Sequence, residues 1–128
     1  MSDGRRLLGQ RGEQLAESYL VNKGFRIVDR NVRTKRGEMD LIALDGNCLV
    51  FVEVRTRSSQ FFGSASESIT WKKKQKLREL AIEYLQKNAQ PIPAFRFDVI
   101  GIYTGTSNTS TQGTDFMRPV IEHYESAF

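Results

Sequence analysis

GEMDLIALDGNCLVFVEVRTR, residues 37–57, decides how this chain is read. Two apolar runs flank Asp45-Gly46-Asn47, a strong signal for a β-hairpin. The spacing predicts one strand over 38–44 and another over 48–57. In the second, Leu49, Val50, Phe51, Val52 and Val54 leave no polar face, as expected of a strand covered on both sides. Glu53 interrupts that apolar row. A buried carboxylate without a partner is unfavourable by several kcal/mol, so it must be paired or bind something.

Asp40 stands six residues before Gly46 and Glu53 seven after it. Antiparallel pairing places them near each other across the hairpin, with a one-residue bulge expected to settle their common face. Arg55 shares the face of Glu53, because residues i and i+2 on a strand point the same way. Two carboxylates beside a cation can hold Mg²⁺ or Mn²⁺ through oxygen and activate a water against phosphate. The plain alternative is a structural salt bridge from Glu53 to Arg55, Arg57 or a lysine. Glu38 belongs to the same unit and sits on Asp40's side of a regular strand, or else is a surface acid at the strand edge.

Outward from the hairpin, Leu8, Leu15, Ala16, Tyr19 and Leu20 recur at helical spacing over 8–23, and Gly24 follows as a stop. A strand is expected over 25–32, with Phe25, Ile27 and Asp29 on one face, then a basic turn at 34–37. After a polar and aromatic loop at 58–68, Thr70 is a credible N-cap for a helix to about residue 88. Trp71, Leu77, Leu80, Ala81, Tyr84 and Leu85 form its apolar stripe. Lys72, Lys73, Lys74 and Lys76 crowd its first turns, where cations oppose the helix dipole, so an anion docking there would make sense of them. Pro91 and Pro93 close this region. A strand follows over 94–104, then a Gly/Ser/Thr/Asn stretch at 105–114, and 116–124 is a candidate last strand. The order is α-β-β-β-α-β with that extra C-terminal strand: an α/β fold, a mixed central sheet with flanking helices, in one domain over residues 1–128.

The 128 residues carry 19 Lys+Arg against 15 Asp+Glu, a net charge of +4. That surplus is uneven. Residues 1–37 carry +5, 38–52 carry −3, 53–78 carry +5 and 79–128 carry −3. An acidic island between basic blocks fits a polyanion partner bridged by a divalent cation, although charge alone also fits a solvated surface. One cysteine, Cys48, excludes an internal disulfide or a cysteine zinc cluster, and one histidine, His123, disfavours a histidine metal site. His123 is expected to be structural. The longest apolar run, 48–52, is far too short for a membrane span, and residues 1–12 lack an apolar signal core, so the expected location is the cytoplasm. Trp71 and the pair Phe61-Phe62 are of the type that stacks on opened bases. For Trp71 the preferred reading is cover for a core or an interface.

The blocks 37–43 and 49–57 resemble the YraN-like family of small bacterial proteins, assigned to the PD-(D/E)XK nuclease superfamily and close in shape to archaeal Holliday junction resolvases. Gly12-Glu13 with Ala16, Tyr19, Leu20 and Gly24, Thr70 with Lys73 and Leu77, Arg96 to Val99, and the C-terminal run from Ile121 through His123 to Phe128 resemble the family's remaining elements. The resemblance implies a restriction-endonuclease-like core. It implies metal held by Asp40, Glu53 and the main-chain carbonyl of Val54, with Glu13 as a supporting acid and Lys73 near phosphate. Arg55 stands where the superfamily motif has lysine. Arginine cannot give up its proton as a lysine base can, so Arg55 is expected to orient water or stabilise charge.

These readings lead to a Mg²⁺- or Mn²⁺-dependent endonuclease on DNA, with branched DNA as one substrate class. Glu13, Asp40, Glu53 and Arg55 are the candidate catalytic residues. Arg11, Arg57, Lys72, Lys73 and Lys76 are the candidate nucleic-acid contacts; Arg5 and Arg6 flank the site. A non-catalytic nucleic-acid-binding module and a protein-interaction adaptor are the alternatives. A homodimer is attractive by analogy, since a junction has two strands to cut.

Overall fold

The hairpin forms as its sequence implies. In the computed structural model, which describes residues 2–57, 68–87, 94–103 and 119–128 with side chains from residue 9 onward, β2 (Gly37–Asp45) and β3 (Cys48–Arg57) pair antiparallel. Asp45 pairs with Cys48, leaving only Gly46 and Asn47 in the turn. Gly46 has φ +61°, at the first central position, where a type II′ hairpin turn takes glycine. A two-residue turn sets the register so that Asp40 falls opposite Glu53, one step beyond the Leu41–Val52 pair. No bulge between them is required, which corrects the expectation from counting around Gly46.

The sheet runs β1-β2-β3-β4-β5, with β1 (Arg26–Thr34) and β5 (Val120–Tyr124) at its edges. All neighbours are antiparallel except β3 and β4 (Ala94–Tyr103), which run parallel over ten residue pairs. A parallel pair needs a crossover, and α2 (Trp71–Lys87) lies between the two strands in sequence. With α1 (Ser2–Asn22) in front, the order is α-β-β-β-α-β-β, the expected α/β core with its extra C-terminal strand.

Two helices cover the two faces. Val50 and Val52 of β3 pack with Ala16 and Leu20 of α1, whereas Leu49 and Phe51 pack with Leu77, Leu80 and Ala81 of α2. All four β3 residues are buried, as the unbroken apolar row implied. Gly12 lets α1 lie close on β3: a Cβ there would stand 1.9 Å from Thr56 Oγ1. The helix ends on a Schellman closure. Phe25 N donates to Leu20 O (2.9 Å), Gly24 N to Val21 O (3.0 Å), and Gly24 takes φ +101°, which suits only glycine well.

Three expectations are corrected. Helix α1 begins at Ser2, well before residue 8. Strand β1 does not place Asp29 beside Ile27. Their pairing with β2 shifts between Ile27 and Asp29, so Ile27 joins the α1 side while Asp29 accepts from Tyr84 Oη of α2 (3.4 Å). Of the two covers expected for Trp71, the core is excluded, since the residue is 73% exposed in the single chain; the interface is not touched by this. The expected loop with Phe61 and Phe62, Pro91 and Pro93, the 105–114 stretch, residues 116–118 and the side chains of Arg5 and Arg6 lie outside the described residues.

Candidate functional site

The β3 row that faces α2 reads Leu49, Phe51, Glu53, Arg55. It is apolar under the body of the helix and charged where the helix begins. Glu53 is almost fully buried, and its carboxylate is not left alone. Lys73 Nζ lies 2.8 Å from Glu53 Oε2, and Arg55 Nε lies 3.5 Å from the same oxygen. Arg55 Nε is itself buried and makes no hydrogen bond. The cations of the plain salt-bridge reading are therefore present, Lys73 foremost.

Asp40 takes over where the backbone ladder stops. Beyond the Leu41–Val52 pair, Val54 N donates to Asp40 Oδ2 at 2.8 Å, so a side chain fixes the spacing of the two strands. Strict alternation also fails here. Leu41 and Ala43 pack toward α1 while Met39 and Ile42 pack toward α2. The break falls at Asp40, opposite Asn31, which holds φ +51°. Burial and the neighbouring charge of Glu53 push the Asp40 carboxyl up to about 8; the Val54 hydrogen bond opposes this, and Glu13 and Glu38 add to it. The Glu13 carboxyl is raised as well, by burial first and then by Glu38 and Glu53.

Asp40 and Glu53 line a cleft of about 350 Å³ together with Glu38, Arg36, Gly37, Thr70, Lys72, Lys73, Lys76 and Leu77. Thr70 caps α2 as expected, its Oγ1 accepting from Lys73 N (3.1 Å). The start of α2, with no acid in its first turn, forms a cationic wall facing the acids. Glu38, an ion-pair partner of Arg33 (2.8 Å), shares the cleft. Glu13 instead lines a second cleft of about 470 Å³ on the α1 side with Gln10, Gln14 and Asn31, though its charge reaches Asp40. Arg11 and Arg57 stand outside the described lining of the main cleft, and each is engaged with other groups.

The donor set that could take a metal is Asp40, Glu53 and the carbonyl of Val54, all hard oxygen. A divalent cation would relieve the crowding that raises the Asp40 and Glu13 carboxyls, and Mg²⁺ commonly keeps several of its own waters on one or two carboxylates. Among the described residues, no three His, Cys, Asp or Glu side chains converge as a ready metal cluster.

Sequence reasoning missed Arg36, which joins the cleft from the β1–β2 turn and pairs with Glu79 of α2 (3.1 Å). It also missed a buried network on the other side of the sheet. Asp98, fully buried on β4, accepts from Arg96 Nε (3.0 Å) and Ser126 N (3.0 Å) and lies 2.7 Å from His123 Nε2. His123 is indeed structural, with Tyr19 Oη 3.2 Å from its other nitrogen. The signal was available: Asp98 interrupts an apolar strand as Glu53 does.

A family model described as an uncharacterised protein family, UPF0102, matches residues 12–102. The chain belongs to the UPF0102 family. A UPF0102 protein of Pelotomaculum thermopropionicum is 43% identical over 128 residues, the whole of both chains. One from Rhodococcus jostii is 43% identical over 121 residues, covering 94% of this chain and 95% of the relative. One from Thermodesulfovibrio yellowstonii is 41% identical over 121 residues, with the same coverage. The UPF0102 match spans Glu13, Asp40, Glu53, Arg55 and Lys73 together, and it is the YraN-like family of the sequence resemblance.

Proposed function

We propose that this protein is a divalent-metal-dependent endonuclease that hydrolyses DNA phosphodiester bonds, with branched DNA as its substrate class. The observation that carries this reading is one cleft with opposed walls, Asp40 and Glu53 on the hairpin and Lys72, Lys73 and Lys76 on α2. Acids alone would repel a phosphate, and lysines alone would merely bind it.

Asp40, Glu53 and the Val54 carbonyl would hold Mg²⁺ or Mn²⁺, which would supply Lewis acidity and a bound water more acidic than bulk water. The chain's own groups do the rest. The Val54 N–H orients Asp40, and Glu13 adds negative charge from α1. Lys72 and Lys76, both exposed, meet the phosphates on either side of the target. Arg55 serves to hold Glu53 and to offset charge on the reacting phosphate. A nuclease acting on cellular DNA would work in the cytoplasm. A homodimer would supply a second cleft for the second strand of a junction.

A second reading has its own support. Glu53 is already matched by Lys73 and Arg55, the arrangement of a site that binds nucleic acid and no longer cuts it. One experiment decides. Duplex, single-stranded and four-way-junction DNA are incubated with protein in Mg²⁺, Mn²⁺ or EDTA, beside Asp40→Asn and Glu53→Gln. Cleavage that needs metal and falls at least about 100-fold in both variants supports the nuclease. Binding without cleavage supports the second reading. No binding at low salt removes both.

A further inference from the structure

We propose that Trp71 is a base-stacking platform at the lip of the cleft, so that the nucleic acid taken by this protein carries an unpaired nucleotide beside the phosphate held there. The inference rests on the nucleic-acid reading of the cleft and narrows its substrate class.

Trp71 is 73% exposed, more than any other large hydrophobic side chain described, and it opens α2. A lone exposed apolar side chain is ordinary, but a tryptophan ring has much to gain from burial, so one standing beside a charged cleft is a natural contact for what the cleft takes. Its place in the chain says what. Thr70 before it and Lys72 after it both line the cleft, and Lys73 next to them touches Glu53. Trp71 itself is not part of the cleft lining, but it stands within one helical turn of Lys72 and Lys73, with Lys76 on the next turn. Cations there oppose the helix dipole, which a bound phosphate would correct. Phosphate-binding cations beside an exposed aromatic face are the two components of single-strand recognition, in which bases stack and the backbone follows the charge. A base inside a duplex has both faces occupied by its neighbours. Only an unpaired base, in a single strand, a flap or an open junction, offers a face to the indole.

Trp71 is the chain's single tryptophan, so its fluorescence reports this site alone. The test titrates the full protein in EDTA and low salt with a single-stranded oligonucleotide and with a long blunt duplex. The expected result is saturable quenching by the single strand with little change on the duplex. Trp71→Ala should weaken single-strand binding on the order of tenfold and leave duplex binding unchanged, while Trp71→Phe keeps most of the affinity. Circular dichroism checks that both variants fold. If wild type and Trp71→Ala bind both DNAs alike, the stacking role is wrong and the nucleic-acid reading stands. If the wild type binds neither DNA, both are wrong. If sedimentation shows a dimer that Trp71→Ala dissolves, the indole belongs to a self-interface and the stacking role falls.

Discussion

Lys73 of α2 reaches Glu53 of β3, with Nζ 2.8 Å from Oε2, and so ties the cationic wall of the cleft to its acidic floor. The lysine side chain is 41% exposed and the glutamate 5%, so the glutamate depends on the contact more than the lysine does. If the proposed metal binds Glu53, it would compete with Lys73 for the same oxygen.

Lys73→Ala should leave Glu53 with Arg55 alone, whose Nε makes no hydrogen bond. Urea unfolding should show a loss of about 1–3 kcal/mol, the range for a charged hydrogen bond broken at a nearly buried acid. Saturating Mn²⁺ should then raise the Tm of the variant more than that of the wild type, because metal no longer displaces an ammonium. Equal shifts would mean that metal and Lys73 do not share Glu53.

Asp40 sets a slope of stability with pH. Its carboxyl sits at about 8 in the folded chain against an ordinary value of 3.8. Between those limits the folded state holds more protons than the unfolded one, so stability falls as pH rises through the window. Thermal melts from pH 5 to pH 9 should show this decline, and Asp40→Asn should flatten it and melt above the wild type at the alkaline end.

Asp98 sets the opposite slope at acid pH. Burial alone would raise its carboxyl, but His123, Arg96 and the Ser126 amide outweigh burial and hold it below the ordinary 3.8. The stability it contributes is present above that value and is lost as pH falls through the folded pKa. Asp98→Ala removes the shared partner of Arg96 and His123 and should cost about 3–5 kcal/mol, read by urea unfolding at pH 7. Asp98→Asn should blunt the acid transition of the wild type.

Gly12→Ala should force Thr56 aside, since the new Cβ would meet Thr56 Oγ1 at 1.9 Å. The expected loss is about 1–3 kcal/mol for an overpacked contact. Adding Thr56→Ala removes that oxygen, so the double variant should lose less than the two single losses together. Simple additivity would place the strain elsewhere.

The element order was legible because each element carries a local signal. Gly24 stops α1, Gly46 makes the turn, Thr70 caps α2, and Glu53 stands out against its apolar strand. What periodicity could not reveal is where alternation breaks. A shifted register near Val28 and a positive φ at Asn31 depend on neighbouring strands, and nothing in a window of β1 announces them. Trp71 was misplaced for a related reason. Helical spacing assigns it to the apolar stripe, but the first residue of a helix can stand beyond the edge of the sheet that the stripe covers. The site acids Asp40 and Glu53 were legible as a pair. The fact that Glu13 lines a different cleft was not, because it depends on which side of the sheet α1 packs.

The pairing of the strands also bears on the order in which this chain folds. Asp40 and Glu53 are 13 residues apart and are joined by a two-residue turn, whereas β3 and β4 begin their parallel pairing between Cys48 and Ala94, 46 residues apart. Closing the short loop loses little entropy, and the parallel pair must wait for a long one. The acids therefore meet early, on a nascent hairpin, before α2 has anything to dock on. Their mutual repulsion opposes early closure of the hairpin until Lys73 arrives, so conditions that protonate or screen those acids should speed folding in stopped-flow refolding.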